Sequence, residues 1–130
     1  MAGLIWFVQI VHYPLFGAVP PDAFPAYHRR HVRLTTLVVG PLMLAEAGAA
    51  LAIASLRLAP PTLSWTGVVL LAMVWSATMW LSVPRHDELA HGFSVSTHAA
   101  LVATNWVRTA AWTARAVLSL MMVADVVRAQ

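Results

Sequence analysis

Six histidines are the residues of this chain best suited to chemistry. His28 and His31 stand three residues apart, so they share one face if the segment is helical. This His-x2-His spacing suits metal chelation, because imidazole is a common ligand of transition metals. Taken alone, the pair fits a polar helix end at a membrane interface better than a metal site, because polar residues are normal there. The other four histidines decide between these interpretations.

Transmembrane helices are the elements that must position these histidines. The chain has 130 residues, of which 60% are hydrophobic and 10% are charged, and its mean hydropathy is +0.73. A soluble domain has roughly 25% charged residues. We therefore predict an all-α integral membrane protein, an antiparallel four-helix bundle that forms a single four-span transmembrane domain over residues 1–130, with the lipid bilayer as its partner.

Two further features of composition exclude classes of function. The chain contains no cysteine, which excludes disulfides and thiolate metal sites. Its positive balance comes from eight arginines scattered near predicted helix ends, with no lysine. This dispersed charge gives no basic patch, and we predict no binding of nucleic acid.

Prolines and polar residues divide the chain into four predicted spans, over about residues 3–18, 23–58, 64–83 and 85–127. Asp22 and Ser64 are the predicted N-caps of the second and third spans. A turn is predicted at Val83-Pro84, because a residue before proline is pushed out of helical geometry. The fourth span then places His91, His98, Asn105 and Trp112 seven residues apart on one face.

Antiparallel packing brings the histidines to one side of the bundle. Matching Asp22 with Pro84, at the starts of two parallel spans, puts residues 28 and 31 level with residue 91. The first span, reflected through its turn, adds residue 12 at the same depth, whereas His86 is predicted nearer the surface. The predicted metal ligands are His12, His28, His31 and His91.

Two residues are predicted to assist this site. Glu88 lies one turn from His91, and His98 lies about two turns deeper in the span. We predict that Glu88 and His98 are further ligands or carriers of protons in catalysis.

A separate pair of charges is predicted deeper in the bundle. The same depth alignment places Glu46 opposite Arg108, with Asn105 one turn away. Charges inside a membrane are rare and usually pair or line a cavity. We predict a structural ion pair that joins the second and fourth spans; a role in proton relay or substrate binding is the alternative.

Several segments carry a resemblance to known membrane proteins. VQIVHYPLF, YHRRH, VVGPLMLAE and TNWVRTAAWTAR look like a widespread type of small bacterial four-helix membrane protein. The size of the chain and its Asn-x-x-Arg motif, formed by Asn105 and Arg108, resemble the anthrone-oxygenase-like membrane proteins. This resemblance implies oxygen chemistry on a hydrophobic substrate and a place in the bacterial cytoplasmic membrane. A looser likeness is to the histidine boxes of membrane desaturases and hydroxylases, which hold two irons but have more histidines and other spacings.

Together these observations predict a metal-dependent membrane oxidoreductase or oxygenase that acts on a lipophilic small molecule. Imidazole ligands without thiolate suit iron, copper or zinc, and iron is the metal that we predict. One alternative is an electron-transfer protein whose haem is held by two histidines. Another is a non-catalytic subunit or small transporter in which Glu46 and Arg108 are the operative pair. The sequence leaves open whether the chain forms a homo-oligomer.

Overall fold

Four helices make up the computed structural model, which describes residues 1–128. They are α1 (Ala2–Ala18), α2 (Phe24–Ser55), α3 (Pro61–Ala90) and α4 (Val95–Arg128). The last three have 32, 30 and 34 residues and are long and apolar enough to cross a membrane, whereas α1 is a shorter apolar helix. The predicted all-α, four-helix membrane fold is confirmed.

The outward surface of the bundle is apolar. Leu37, Leu44, Val69, Trp80 and Leu120 are each more than 60% exposed. Exposure on this scale suits contact with lipid chains, since helices satisfy their own backbone hydrogen bonds and present only side chains to the bilayer. Polar side chains in the same helices must therefore find partners inside the bundle.

Both α1 and α3 contain a wide π turn immediately before a proline. The turns cover Val8–His12 and Thr78–Ser82, and Pro14 and Pro84 follow two residues after them. A proline ring clashes with the carbonyl four residues before it and leaves that carbonyl without a donor. A π turn closes its hydrogen bond one residue later than an α turn, which makes room for the ring. Each helix thus continues through its proline.

The turn predicted at Val83-Pro84 is therefore wrong. Helix α3 continues to Ala90, and the chain reverses over residues 91–94. Gly92, at this reversal, has a φ of 157°, which few residues other than glycine adopt. The segment that was predicted to begin the fourth span instead ends the third.

Neither predicted N-cap is confirmed. Helix α2 begins at Phe24, with Ala23 before it and no capping side chain. Ser64 lies inside α3, where its hydroxyl donates to the carbonyl of Pro60 at 3.1 Å. Both helices carry a proline in their first turn instead, where its missing N–H is not needed.

The later start of α4 changes the partner of Glu46. Helix α4 begins at Val95 and not at residue 85, so its start is displaced by ten residues (95 − 85) and residues further along it come level with Glu46. Glu46 accepts hydrogen bonds from Arg115 Nε at 3.1 Å and from Trp112 Nε1 at 2.8 Å. The predicted ion pair between Glu46 and Arg108 is therefore wrong, although a pair does join the two helices.

Two buried clusters hold the bundle together. One lies near the depth of Glu46 and comprises Ile5, Met43, Val74, Ala111 and Trp112. The other lies near the α1–α2 and α3–α4 turns and comprises Tyr13, Phe16, Phe24, Leu89 and Leu101. The second cluster is rich in aromatic rings and packs directly against the histidines.

Substitution of Glu46 tests the ion pair. We expect Glu46→Ala to lower the free energy of unfolding by as much as about 3–5 kcal/mol, because the Arg115 guanidinium loses its counter-charge. Glu46→Gln keeps an acceptor oxygen and should cost less. Thermal unfolding in detergent measures both effects, with Asp125→Ala, an exposed acid in α4, as the control. Equal losses for the alanine and glutamine variants would contradict the assignment.

Candidate metal centre and adjoining cavity

Four imidazoles from three helices form one cluster. The ring of His12 comes from α1, those of His28 and His31 from α2, and that of His86 from α3. Ring centroids are 4.6 Å apart for His12 and His31, and 5.2 Å apart for His28 and His86. The ring centroids of His31 and His86 are 5.6 Å apart, so the two pairs lie next to each other. These four residues are called the histidine cluster below.

The cluster is built from two hydrogen-bonded pairs. His12 Nε2 lies 2.8 Å from His31 Nδ1, and His28 Nε2 lies 3.0 Å from His86 Nδ1. In each pair one ring nitrogen donates and the other accepts with its lone pair. The nitrogens of each pair are thus directed at one another.

Hydroxyl groups fix the orientation of two of these rings. The Tyr13 hydroxyl lies 3.0 Å from His86 Nε2, and the Thr35 hydroxyl lies 3.1 Å from His31 Nδ1. Tyr13 is buried in the aromatic cluster, and Thr35 is one turn beyond His31 on the same helix. Each hydroxyl therefore holds its ring from a rigid helix.

Aromatic side chains separate the cluster from water on its inner side. Phe16 is fully buried, and its ring centroid lies 4.9 Å from that of His31 and 5.3 Å from that of His12. Phe24 stacks on His28 at 5.4 Å. His28 is itself fully buried, and its Nδ1 has no hydrogen-bond partner.

As they stand, the rings do not yet surround a metal ion. Within residues 1–128, no group of three or more His, Asp or Glu side chains is arranged around a common metal position. Two imidazole nitrogens on one tetrahedral ion are about 3.3 Å apart, since each metal–nitrogen bond is about 2.0–2.1 Å. The two pairs are a few tenths of an ångström closer than that. Imidazole nitrogens at this depth fit a metal site. The rings would have to rotate for their nitrogens to converge on one ion.

The predicted ligand His91 lies outside the cluster. It is exposed in the α3–α4 turn, where its Nδ1 donates to the Asp87 carbonyl at 2.8 Å. His86 takes the fourth position, although it was predicted nearer the surface. The error follows from the turn placed at Val83-Pro84. A stripe at i, i+4 and i+7, formed by Ser82, His86 and Leu89, was the signal of one continuous helix through this proline.

The two predicted assisting residues have other partners. His98 donates from Nε2 to the Tyr13 carbonyl at 2.7 Å and ties α4 to α1. Glu88 is exposed and accepts a hydrogen bond from the Thr97 hydroxyl at 3.0 Å, across the α3–α4 turn. Both contacts fasten helix ends around the site.

A cavity of about 280 Å³ adjoins the histidine cluster, between α2 and α3. His31 and His86 form part of its wall, so it is called the α2–α3 cavity below. Its lining combines apolar side chains, hydroxyl groups and two charged residues: Tyr13, Val32, Thr35, Thr36, Val39, Gly40, Met43, Thr78, Ser82, Val83, Asp87 and Arg108. Val32 and Val83 are more than a third exposed, which gives the cavity an apolar rim at the outer surface of the bundle.

A buried polar network lies behind this cavity. Asn105 donates to Gln9 Oε1 at 2.8 Å, and Gln9 donates to the Val102 carbonyl at 3.2 Å. Arg108 Nη1 donates to Ser82 Oγ at 3.1 Å and to Asn105 Oδ1 at 3.3 Å. Gln9 was missed by the sequence analysis; a lone amide in an otherwise apolar span was the available signal.

Comparison of the chain with family models, with curated proteins and with solved structures finds no match. The resemblance to anthrone-oxygenase-like proteins therefore stays a prediction.

Removal of Asn105 tests the polar network. We expect Asn105→Leu to lower the free energy of unfolding by about 1–3 kcal/mol for each buried group that loses its partner. Gln9 and Arg108 both lose one. The neighbouring Thr104→Val removes a hydroxyl that bonds only within its own helix and serves as the control. Equal losses of stability in the two variants on thermal unfolding would mean that the network stabilises the bundle no more than a hydrogen bond within one helix does.

Proposed function

We propose that this protein is a metal-dependent membrane oxidoreductase that acts on a lipophilic small molecule bound in the α2–α3 cavity. The metal ligands in this proposal are His12, His28, His31 and His86. One observation carries it: four imidazoles from three helices are gathered in one layer, and two of them, His31 and His86, form part of the wall of a cavity.

The position of the cluster supports a role in ligation. Ionisable residues within membrane helices are rare and usually mark functional sites. Four imidazoles in an aromatic, poorly hydrated layer give up hydrogen bonds to water, and His28 Nδ1 recovers none. A metal ion would take the place of the protons shared within the two pairs and give all four rings a common partner.

The donor set narrows the choice of metal. Imidazole suits iron, copper and zinc, and oxidation requires one of the two redox-active metals. We favour iron, which the resemblance to oxygenases also implies. The direct contacts between imidazoles favour a bare ion over haem, because two axial histidines of a haem stand on opposite faces of a macrocycle. A bound ion would supply the redox step, in which dioxygen accepts the electrons and protons that the substrate loses.

The remaining residues position the reactants. The hydroxyls of Tyr13 and Thr35 orient two of the imidazoles. The ring of Phe16 excludes water from the inner side of the histidine cluster. The apolar rim of the α2–α3 cavity admits a lipophilic molecule from the bilayer. Such a molecule would reach the wall formed by His31 and His86 without crossing water.

Metal content tests the ligand assignment. We expect each of the four alanine variants, at His12, His28, His31 and His86, to lower the metal bound per chain in purified protein. His91→Ala is the matched control, since it removes an exposed imidazole in the adjacent turn and should leave metal content unchanged. Elemental analysis of protein from metal-supplemented cultures gives the measurement, and thermal unfolding confirms that each variant is folded.

Two results would contradict the proposal. One is a wild-type protein that takes up no transition metal. The other is an equal loss of metal in His91→Ala and His86→Ala. Such a result would mean that His91, in the exposed turn, is as important for metal binding as His86.

A further inference from the structure

Arg108 is a buried cation without an ionic partner. It is 7% exposed, and its Nη1 bonds only to the neutral groups of Ser82 and Asn105. Its Nε is buried and has no acceptor. Among residues 1–128, the ion pair that the structure contains joins Glu46 to Arg115.

An uncompensated charge at this depth is costly. Arg108 lies 13 residues into α4 (108 − 95), or about 20 Å from the start of the helix. The Trp112 ring, with its centroid 5.2 Å from the guanidinium carbon, offers a cation–π contact but no negative charge. Removing a guanidinium from water without a counter-charge costs several kcal/mol. The environment of Arg108 therefore favours an anion, which residues 1–128 do not supply.

The α2–α3 cavity gives such an anion a place. Arg108 lines it, together with the apolar groups of Val39 and Met43. The one carboxylate in the lining, that of Asp87, belongs to an exposed residue. A guanidinium donates charge-assisted hydrogen bonds to a carboxylate, and such bonds are among the strongest in proteins.

We propose that the α2–α3 cavity binds a small amphipathic organic acid, with its carboxylate on Arg108 and its apolar chain along Val39 and Met43. A cavity of about 280 Å³ lies just below the range of small-molecule sites, which span about 300–1,000 Å³. This size suits a single short chain better than a two-chain phospholipid.

The bound acid would lie beside the histidine cluster. Arg108 is bonded to Ser82, and Ser82 precedes His86 by four residues, or about 6 Å along α3. Carbons close to the carboxylate are therefore held next to the proposed metal ligands. The inference thus deepens the proposed function by naming its substrate class, and it rests on that function only for the claim that the acid is the substrate. Binding of the acid requires no metal.

The experiment compares octanoate with octan-1-ol as probes of the full chain in lipid nanodiscs. The two molecules share a chain and differ in charge. We expect octanoate to bind saturably in equilibrium dialysis and to raise the Tm, since a ligand that binds the folded state stabilises it. Octan-1-ol, which lacks the charge, should bind at least about tenfold more weakly.

Three variants locate the binding site. Arg108→Gln should weaken octanoate binding about tenfold or more. Gly40→Leu places a side chain in the cavity, where an added Cβ meets only Thr36, at 4.0 Å, and should weaken octanoate binding to a similar extent. Gly48→Leu is the control on the same helix, outside the cavity lining and with open space around it. It should bind octanoate like the wild type. If Arg108→Gln does not fold, the pair of glycine variants still decides the site.

Equal binding of octanoate and octan-1-ol would overturn the inference. So would undiminished octanoate binding by Gly40→Leu. Dialysis of protein as purified and after treatment with a chelator separates this inference from the proposed function. Octanoate binding with no metal uptake would contradict only the metal centre, and metal uptake without octanoate binding would contradict only the anion site.

Discussion

The constraint on which this structure depends is that polar side chains in lipid-facing helices must find their partners inside the bundle. Three groups of polar residues are turned inward as a result. The histidine cluster lies near the α1–α2 and α3–α4 turns, the network of Gln9, Asn105 and Arg108 lies deeper, and Glu46 pairs with Arg115 deeper still. Every one of them joins different helices. The same contacts that satisfy polar groups therefore also fix how the helices pack.

Two proline-adjacent π turns set the geometry of the site. A regular helix would need to break before Pro14 or Pro84, and the wide turns allow both helices to continue. His12 ends the first π turn, and His86 lies one turn beyond the end of the second. Such turns occur often at functional sites. In this protein they bring imidazoles of α1 and α3 against the two that α2 supplies at three-residue spacing.

The composition and the proline spacing were sufficient to predict four helices, their membrane character and the depth shared by His12, His28 and His31. They were insufficient to predict where α3 ends, because a residue before proline usually leaves the helix, and this rule was given more weight than the helical spacing of Ser82, His86 and Leu89. That single error displaced α4 by ten residues. As a result, His91 was predicted in the position that His86 occupies. Arg108 was likewise predicted as the partner of Glu46 in place of Arg115. The contact between Asn105 and Gln9 could not be predicted either, since only packing determines the rotation of α1 about its own axis.

In the proposed function, His12, His28, His31 and His86 bind one metal centre. X-ray absorption at the edge of the bound metal tests it most directly, because scattering from imidazole rings distinguishes histidine nitrogen from other light ligands. We expect a shell dominated by histidine nitrogen at about 2.0–2.1 Å that loses imidazole scattering in His86→Ala and keeps it in His91→Ala. A shell of oxygen ligands alone, or one that His86→Ala leaves unchanged, would contradict it.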